Sequence, residues 1–502
     1  MTQVVIEKQP YLSDYDVVII GAGIVGSMIA RELSKFDCRL ALLDKETFSG
    51  FGVTKGGPSL LHSPVIFPTG PLRAKLAFDA PLRYRKLSDE LDVVFSEFGE
   101  LFLALEPSQI ANLESDRKWA EEHHVSTGHK IIGPEKIREL EPHVTKKAVA
   151  ALYGKGLGGI EPVEWTFALT ENAVQNGVHL YLKTTVGDIK KEKDFAYVVL
   201  TQKGYFKTRY IINAAGLFAD EIAWMVGDRD ICLTLTKGTM VIFDKSVSYF
   251  VRNMVYGTHS NKHSQLITPT SDGNLMLGLG YFTTPEHKGD TKVTREKLQE
   301  VIKMGKELVP TLSESDIITS FAGIRSENNK ASDGDFYIAH SEQAPGVIHA
   351  IIGSPGLTAA PGIAELVIKM LLDAGMDMEE KKTFQKKRIG WPQFSTASPK
   401  EQWKMIASNP KYGHIICRCE QVTEAEILEA IRRGADTLDA VKHLTRAGMG
   451  RCQGGFCGTF VLNLLAKQLG IPPNQVTKNG EGSHQITALA SERAGFIKEI
   501  EC

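Results

Sequence analysis

The sequence predicts an α/β protein that opens with a Rossmann-like nucleotide-binding fold and ends in a small helical domain. Three observations predict it. A strand–glycine turn–helix–strand signature fills residues 16–46, short alternating apolar runs recur through the middle of the chain, and four cysteines lie among short helical patterns in the last hundred residues.

The first element is the apolar run Asp16 to Ile20 (DVVII), typical of a buried parallel strand. Gly21-Ala22-Gly23-Ile24-Val25-Gly26 follows directly, then the helical pattern SMIARELSKF. A second strand, RLALLDKE, reaches Asp44 eighteen residues past Gly26. This context turns a weak glycine motif into a specific one. Gly21 allows the tight turn, Gly23 lets a pyrophosphate approach backbone, and Gly26 permits close helix–strand packing. The helix N-terminus favours the phosphates, and Asp44 is placed to accept from the ribose hydroxyls. The motif alone does not separate FAD from NAD.

The middle of the chain alternates as half-buried strands do, in TMVIFD, SQLITPT and NLMLGLGYF, with Thr268 to Asn274 as a hairpin turn. Residues 376–410 carry charge and proline without apolar periodicity and are expected to be a linker. Lys381, Lys382, Lys386, Lys387 and Arg388 within it are expected on a solvated face. Thr423 to Glu426 (TEAE) forms a capping box that opens a helix ending at Gly434; Thr437 caps a second, and a third runs from after Cys457 to Gly470. Cys417 and Cys419 (C-x-C), with Cys452 and Cys457 (C-x4-C), gather four thiols in tight loops. Such a set suits a soft metal centre, either zinc or an iron–sulfur cluster.

Length and composition bound the rest. The 502 residues, 42% hydrophobic, suffice for two or three domains. A net charge of −2 recruits neither nucleic acid nor anionic membrane. Seven cysteines, with Cys38, Cys232 and Cys502 scattered, fit a reducing compartment better than a disulfide scaffold. The N-terminus lacks a signal-peptide layout, and no run reaches the ~18 apolar residues of a membrane span. The expectation is a soluble, cytoplasmic protein.

Three further segments carry a resemblance. YIINAAGLFAD (Tyr210 to Asp220) looks like the strand and turn that return to a flavoprotein sheet. GSPGLTAAPGIAELVIKML (Gly353 to Leu371) looks like the closing loop and helix facing a flavin ring. KLAFDAPLRYRKLSDEL (Lys75 to Leu91) looks like one long helix after the flavin-contacting loop. Together they resemble the D-amino-acid-oxidase-like superfamily, in the branch with glycerol-3-phosphate and L-2-hydroxyglutarate dehydrogenases. The resemblance implies FAD and an α+β substrate domain inserted into the nucleotide-binding fold. The implied oxidoreductase domain spans 1–375, with FAD-binding pieces at about 14–75, 150–225 and 325–372 and substrate pieces at about 76–149 and 226–324. It implies cofactor contacts at Gly21, Gly23, Ile24, Val25, Gly26, Asp44, Lys45, Thr54, Val186, Ala215, Gly216, Gly353, Gly356, Leu357 and Thr358.

On the substrate side, Phe321 to Arg325 (FAGIR) resembles the segment whose arginine reaches the active site, where its fork suits carboxylate or phosphate. Relatives oxidise a carbinol or amine C–H by hydride transfer to flavin, which also requires a proton acceptor. His62 is the first candidate and His263 the second; Lys55 is placed to favour the reduced, anionic flavin. The loop departs from its relatives, reading GGPS after Lys55 and SP after His62.

The C-terminal run RCQGGFCG resembles the bacterioferritin-associated-ferredoxin-like domain, which implies a [2Fe–2S] cluster held by Cys417, Cys419, Cys452 and Cys457 within about 411–475, followed by a tail. The combination implies a dehydrogenase passing electrons through the cluster to a partner subunit or carrier, with peripheral membrane association through that partner. The expected substrate is small and anionic: glycerol 3-phosphate first, 2-hydroxyglutarate or an amino acid or opine next. A nucleotide-binding protein without turnover is disfavoured by the intact site residues.

Overall fold

A computed structural model describes residues 10–63, 65, 71–123, 128–192, 196–257 and 265–487. The chain divides into two compact units, residues 1–45 with 49–389, and residues 46–48 with 390–502.

In the first unit, an eight-stranded sheet runs in the order Tyr337–His340, Val347–Ile351, Gly204–Asn213, Tyr11–Ile20, Leu40–Leu43, His179–Tyr181. Its central neighbours pair parallel, and an antiparallel excursion, Val186–Lys191 and Tyr197–Thr201, leans on Gly204–Asn213. Strand residues alternate between two cores. Val17, Ile19, Leu40 and Leu42 face the side covered by helices Ile24–Leu33, Pro162–Gln175 and Gly356–Asp373, while Val18, Ile20, Ala41 and Leu43 face the other. Burial on both faces is why these runs are apolar throughout. The first strand begins at Tyr11, five residues before the apolar run.

The same unit holds a nine-stranded, mostly antiparallel sheet, ordered Ile317–Asn328, Leu233–Phe243, Leu275–Thr283, Leu266–Pro269, Met254–Tyr256, Ser96–Ala104, Ala150–Gly159, Leu60–Leu61, with Lys130–Ile132 on Ala150–Gly159. The hairpin expected at Thr268 to Asn274 joins two of these strands. Three stretches of the expected nucleotide-binding pieces pair into this sheet, Leu60–Leu61, Ala150–Gly159 and the end of Ile317–Asn328 with Arg325.

Two other expectations differ. Lys75 to Leu91 is broken, with helices Pro71–Ala77 and Ala80–Leu91 separated at Phe78 and Asp79. Pro81 has no N–H and its ring would collide with the Ala77 carbonyl in a continuous helix, so it opens a new one instead. The basic stretch is not uniformly solvated either. Arg388 is buried, donating to Glu171 (2.5 Å) and the Leu91 carbonyl (2.9 Å), and Lys381 donates to the Asn176 carbonyl (3.0 Å).

The second unit contains the three helices expected, Glu424–Arg432, Leu438–Thr445 and Gly458–Leu469, and a ribbon of Ile415–Cys417 with Val422–Thr423. Thr423 and Glu426 form the capping box, and Thr437 accepts from Ala440 N–H at 3.2 Å. Ile427, Ala430, Val441, Leu444, Val461 and Leu465 make the small core. A helix also occupies Pro399–Ser408 within the expected linker, opened by a Ser398/Glu401 capping box with proline in its first turn. Among the described residues no helix is long and apolar enough to cross a membrane.

Candidate active site and cluster-binding loops

The glycine turn is shaped by backbone contact. Gly21 has φ +110°, and a Cβ there would stand 2.3 Å from the Ala214 carbonyl oxygen; one on Gly26 would stand 1.9 Å from the Gly21 oxygen. Gly23 differs: its nearest neighbour would be the Thr54 hydroxyl at 3.3 Å, so here the missing side chain keeps an approach open rather than a packing contact closed. Helix Ile24–Leu33 starts without a side-chain cap or an acidic residue in its first turn, leaving its positive end for an anion. One donor is engaged, Ile24 N–H to Thr54 Oγ1 at 3.1 Å. Asp44 accepts from Ala22 N–H at 2.6 Å, tying the acidic residue to the glycine turn.

The other expected cofactor residues gather round this turn. Val186 belongs to the same core cluster as Leu43, against which Tyr181 and Ala215 pack. The Lys45 ammonium lies 3.8 Å from the centre of the Phe218 ring, just past Ala215 and Gly216. Gly216 has φ +57° and its absent Cβ would face Val53. The strand feeding that turn is braced by buried polar groups absent from the sequence reading: Asn213 bonds His349 (3.0 Å), His349 bonds Asp228 (2.8 Å), and Ser341 donates to the same carboxylate. They carry no motif, and only the strand pairing brings them together.

Gly353 lies against Ser326, where a Cβ would come within 2.6 Å of the carbonyl oxygen. Gly356 opens helix Gly356–Asp373, which has neither side-chain cap nor early acidic residue. Leu357 O accepts from Tyr84 (2.5 Å), and Thr358 Oγ1 accepts from His62 N–H (3.0 Å). The Thr54-Lys55 loop meets the arginine strand through two glycines: a Cβ on Gly323 would stand 2.2 Å from the Gly56 oxygen. Lys55 Nζ is 4.8 Å from the Phe51 ring centre.

His62 is buried, at 5% exposure, and its Nδ1 lies 3.0 Å from the Tyr256 hydroxyl. Burial, with the Arg325 charge adding to it, pushes its pKa down to about 4, so the ring is neutral at physiological pH. Arg325 is about a third exposed; its Nε donates to Thr236 Oγ1 (3.0 Å), its guanidinium lies 3.9 Å from the Phe282 ring centre, and Glu327 stands 3.6 Å away. Burial, opposed by Glu327 and reinforced by the like charge of Arg73, lowers its pKa. Arg73, which the sequence did not single out, is held by the Gly334 (2.9 Å) and Asp333 (3.1 Å) carbonyls. A neutral imidazole thus sits within the field of the Arg325 charge, while Glu327, Asp333 and Asp335 offset the charge of Arg73. His263 and Pro64 lie outside the described residues.

In the second unit the cysteines form two pairs. Cys419 Sγ is 3.7 Å from Cys452 Sγ, and Cys417 is hydrogen-bonded to Cys457. Two sulfurs on one tetrahedral metal at ~2.3 Å lie ~3.8 Å apart, so the first pair already has ligand spacing. Among the described residues no three Cys, His or acidic side chains converge on a single ion. Pairing two by two fits a centre with two irons. The Cys417 thiol is lowered to about 6 by the hydrogen bond from Cys457, against burial, with Gly448 and Glu420 N–H groups helping, and the same bond raises Cys457, so this pair shares one proton. Cys452 is lowered by the Phe456 and Gly454 N–H groups, and Cys457 stands at the N-terminus of helix Gly458–Leu469. Gly450 lets the loop close, since a Cβ there would strike Cys419 Cβ at 2.2 Å. These loops fit a thiolate-held cluster.

Fold and sites together define a two-cofactor flavoprotein oxidoreductase. Residues 16–370 match the family of FAD dependent oxidoreductases, and residues 415–467 match the BFD-like [2Fe-2S] binding domain. The chain belongs to that FAD-dependent family; its cofactors are FAD and a [2Fe–2S] cluster. It is similar to a glycerol 3-phosphate dehydrogenase of Caloramator mitchellensis, 38% identical over 94% of this chain and 98% of the relative. It is similar also to a glycerol 3-phosphate oxidase of Mycoplasma pneumoniae, 27% identical over 71% of this chain and 94% of the relative. The solved dithionite-reduced L-α-glycerophosphate oxidase of Mycoplasma pneumoniae with FAD bound superimposes with a TM-score of 0.70, at 25% identity, covering 76% of this chain and all of that one.

Proposed function

We propose that this chain oxidises glycerol 3-phosphate to dihydroxyacetone phosphate and sends the electrons through its cluster to a partner subunit or carrier. One observation carries the reading: a neutral, buried imidazole lies in the field of the Arg325 charge, in a chain similar over 94% of its length to a glycerol 3-phosphate dehydrogenase. Arg325 presents its fork to the phosphate, with the charge of Arg73 behind it. His62 takes the hydroxyl proton, being uncharged and therefore able to accept one. Lys55, in the loop bonded to the first helix through Thr54, adds positive charge at the cofactor end. Gly23, Ile24, Val25 and Gly26 cradle the diphosphate, with Asp44 and Lys45 beyond them. Leu357 and Thr358 present backbone N–H groups at the start of their helix, and Gly353 stands just before it, its carbonyl accepting from the Gly356 N–H (2.9 Å). Bound FAD supplies the two-electron acceptor for the hydride leaving the carbinol carbon.

Replacing Arg325 with Leu removes the partner of a substrate dianion. The expected result is a KM for glycerol 3-phosphate raised by roughly 30-fold or more, as for loss of one partner of a buried charge pair. Anaerobic bleaching of the flavin band by glycerol 3-phosphate, and not by 2-hydroxyglutarate or amino acids, checks the substrate. An unchanged KM, or bleaching by the other compounds alone, rejects it.

For the relay, the bound cluster supplies a one-electron centre. Cys419 is solvent-exposed, and Phe456 (80% exposed) and Phe460 (57%), on either side of the start of the helix that follows Cys457, offer a partner an apolar edge in the same cluster-binding loops. Cys419→Ser should abolish the cluster absorbance and slow reduction of a one-electron acceptor far more than flavin reduction. Equal effects on both half-reactions, or none on either, refute the relay.

A further inference from the structure

We infer that His349 is a positioning residue of the flavin site: its bare Nδ1 holds the Asn213 amide in the one orientation that clamps the turn carrying Ala215 and Gly216, so that a proton gained there loosens FAD. The inference rests on the reading of Ala215 and Gly216 as cofactor contacts. Strand Gly204–Asn213 ends where this turn begins. Asn213 Nδ2 donates to the Ala219 carbonyl at 2.8 Å, and Asn213 Oδ1 accepts from Ala215 N–H at 3.3 Å, so one side chain spans both ends of the turn. Ala214, next in the chain, donates to the Ile20 carbonyl at 2.9 Å and supplies the oxygen against which Gly21 packs. A shift of this turn is therefore felt by the glycine turn before the first helix.

The partners fix the protons. A backbone carbonyl only accepts, so the side-chain atom 2.8 Å from the Ala219 oxygen is the amide nitrogen. The same nitrogen lies 3.0 Å from His349 Nδ1, which must then accept, and the ring proton sits on Nε2, 2.8 Å from Asp228 Oδ2. Ser341 also donates to that carboxylate oxygen and is held by the N–H groups of Gln343 (3.2 Å) and Ala344 (2.8 Å). Asn213 and His349 are paired across parallel strands and fully buried, with Asp228 nearly so, and bulk water does not replace a bond lost there. A proton on Nδ1 would set two donors face to face. The amide can answer only by turning over, which puts its oxygen against the Ala219 oxygen and its nitrogen against the Ala215 N–H, breaking the clamp at both ends. Burial lowers the His349 pKa, opposed by the hydrogen bond and charge of Asp228, so the proton is gained only below the ordinary value near 6.5. The other ionisable groups around the network are Tyr197 and Tyr337, which feel the Asp228 charge, and Asp220, next to Ala219 and paired with Lys288 at 2.7 Å; Tyr337 also feels Lys330, Asp230 and Glu342.

The test is the release of FAD from the holoenzyme, read as the rise of free-flavin fluorescence. In the parent the release rate should climb by roughly tenfold or more between about pH 7.5 and about pH 5, in line with loss of a buried hydrogen-bond partner, while thermal melting shows the chain still folded. His349→Asn keeps an acceptor near the Nδ1 position and has nothing to titrate, so its rate should change by no more than about threefold over that range. His349→Leu fills the space without an acceptor and should release FAD at about pH 7.5 roughly fivefold faster than His349→Asn. A packing role alone gives the reverse order of these two variants, and that order overturns the inference, as does an equal acid response in the parent and His349→Asn. Selective ¹⁵N-histidine labelling of the parent, with His349 assigned by subtraction of the His349→Asn spectrum, should show Nε2 protonated near neutral pH; a proton on Nδ1 there also overturns it. Release of FAD from Asn213→Ala at the parent's rate would remove the reading of this turn as a cofactor contact, and the ring-nitrogen spectrum separates that outcome from failure of the histidine assignment.

Discussion

Gly26→Ala should yield a chain that has lost FAD and much of its stability, whereas Gly23→Ala should fold and bind FAD weakly. The two glycines stand three residues apart in one turn, yet their surroundings are opposite. At Gly26 a methyl group would stand 1.9 Å from the Gly21 carbonyl oxygen and 3.4 Å from Ala214 Cβ. The nearer atom is backbone of the buried turn, so no side chain can rotate away and the helix must move off the strand by roughly an ångström. Overpacking a rigid interior costs about 1–3 kcal/mol or more. Here it also displaces the helix end that holds the diphosphate. At Gly23 the added methyl would meet only a threonine hydroxyl at 3.3 Å, so the apo fold survives and the loss falls on the approaching ligand. Thermal melting and the flavin-to-protein absorbance ratio distinguish the cases. Equal melting temperatures for parent and Gly26→Ala, with full flavin, would contradict the packing assignment; full flavin in Gly23→Ala would contradict the cradle.

How much of this was legible without coordinates depends on whether a residue's role is local. The glycine turn and the capping box at Thr423 act within a few residues of chain, and Asp44 and the four cysteines belong to motifs of fixed spacing, so periodicity and spacing expose them. The residues that escaped act across the sheets. Tyr256 meets His62 from 194 positions away, Thr236 comes to Arg325 only because their strands pair, and Arg73 acts on Arg325 from helix Pro71–Ala77. Arg388 looked like one more charge in a basic run; only its contact with Glu171 and the Leu91 carbonyl shows it to be an anchor. The break at Phe78 was readable from Pro81, but apolar periodicity continuing across it masked the interruption. Helix Pro399–Ser408 was likewise announced by Ser-Pro-Lys-Glu, a cap signal outweighed by the charge around it.

His62→Gln should reduce the rate of flavin reduction by about 10²- to 10⁴-fold, the range for removing a positioned proton acceptor. The pH dependence makes the assignment sharper. An ordinary histidine, with a pKa near 6.5, would lose its accepting form through the mildly acidic range, but His62 is lowered to about 4 by burial and by the Arg325 charge. The acid limb of kcat/KM belonging to this group should therefore fall near pH 4, and Arg325→Leu should move it upward by removing the cationic neighbour. The same shift couples to stability. Because the folded pKa lies below the unfolded one, the unfolded chain binds the extra proton between pH 6.5 and 4. His62 thus contributes nothing to acid sensitivity above pH 6.5, and stability falls as pH drops through that window, by about 3 kcal/mol in all. Chemical denaturation at stepped pH should show this loss in the parent and its absence in His62→Gln. An acid limb near pH 6.5 in the parent, unmoved by Arg325→Leu, would mean that another group accepts the proton.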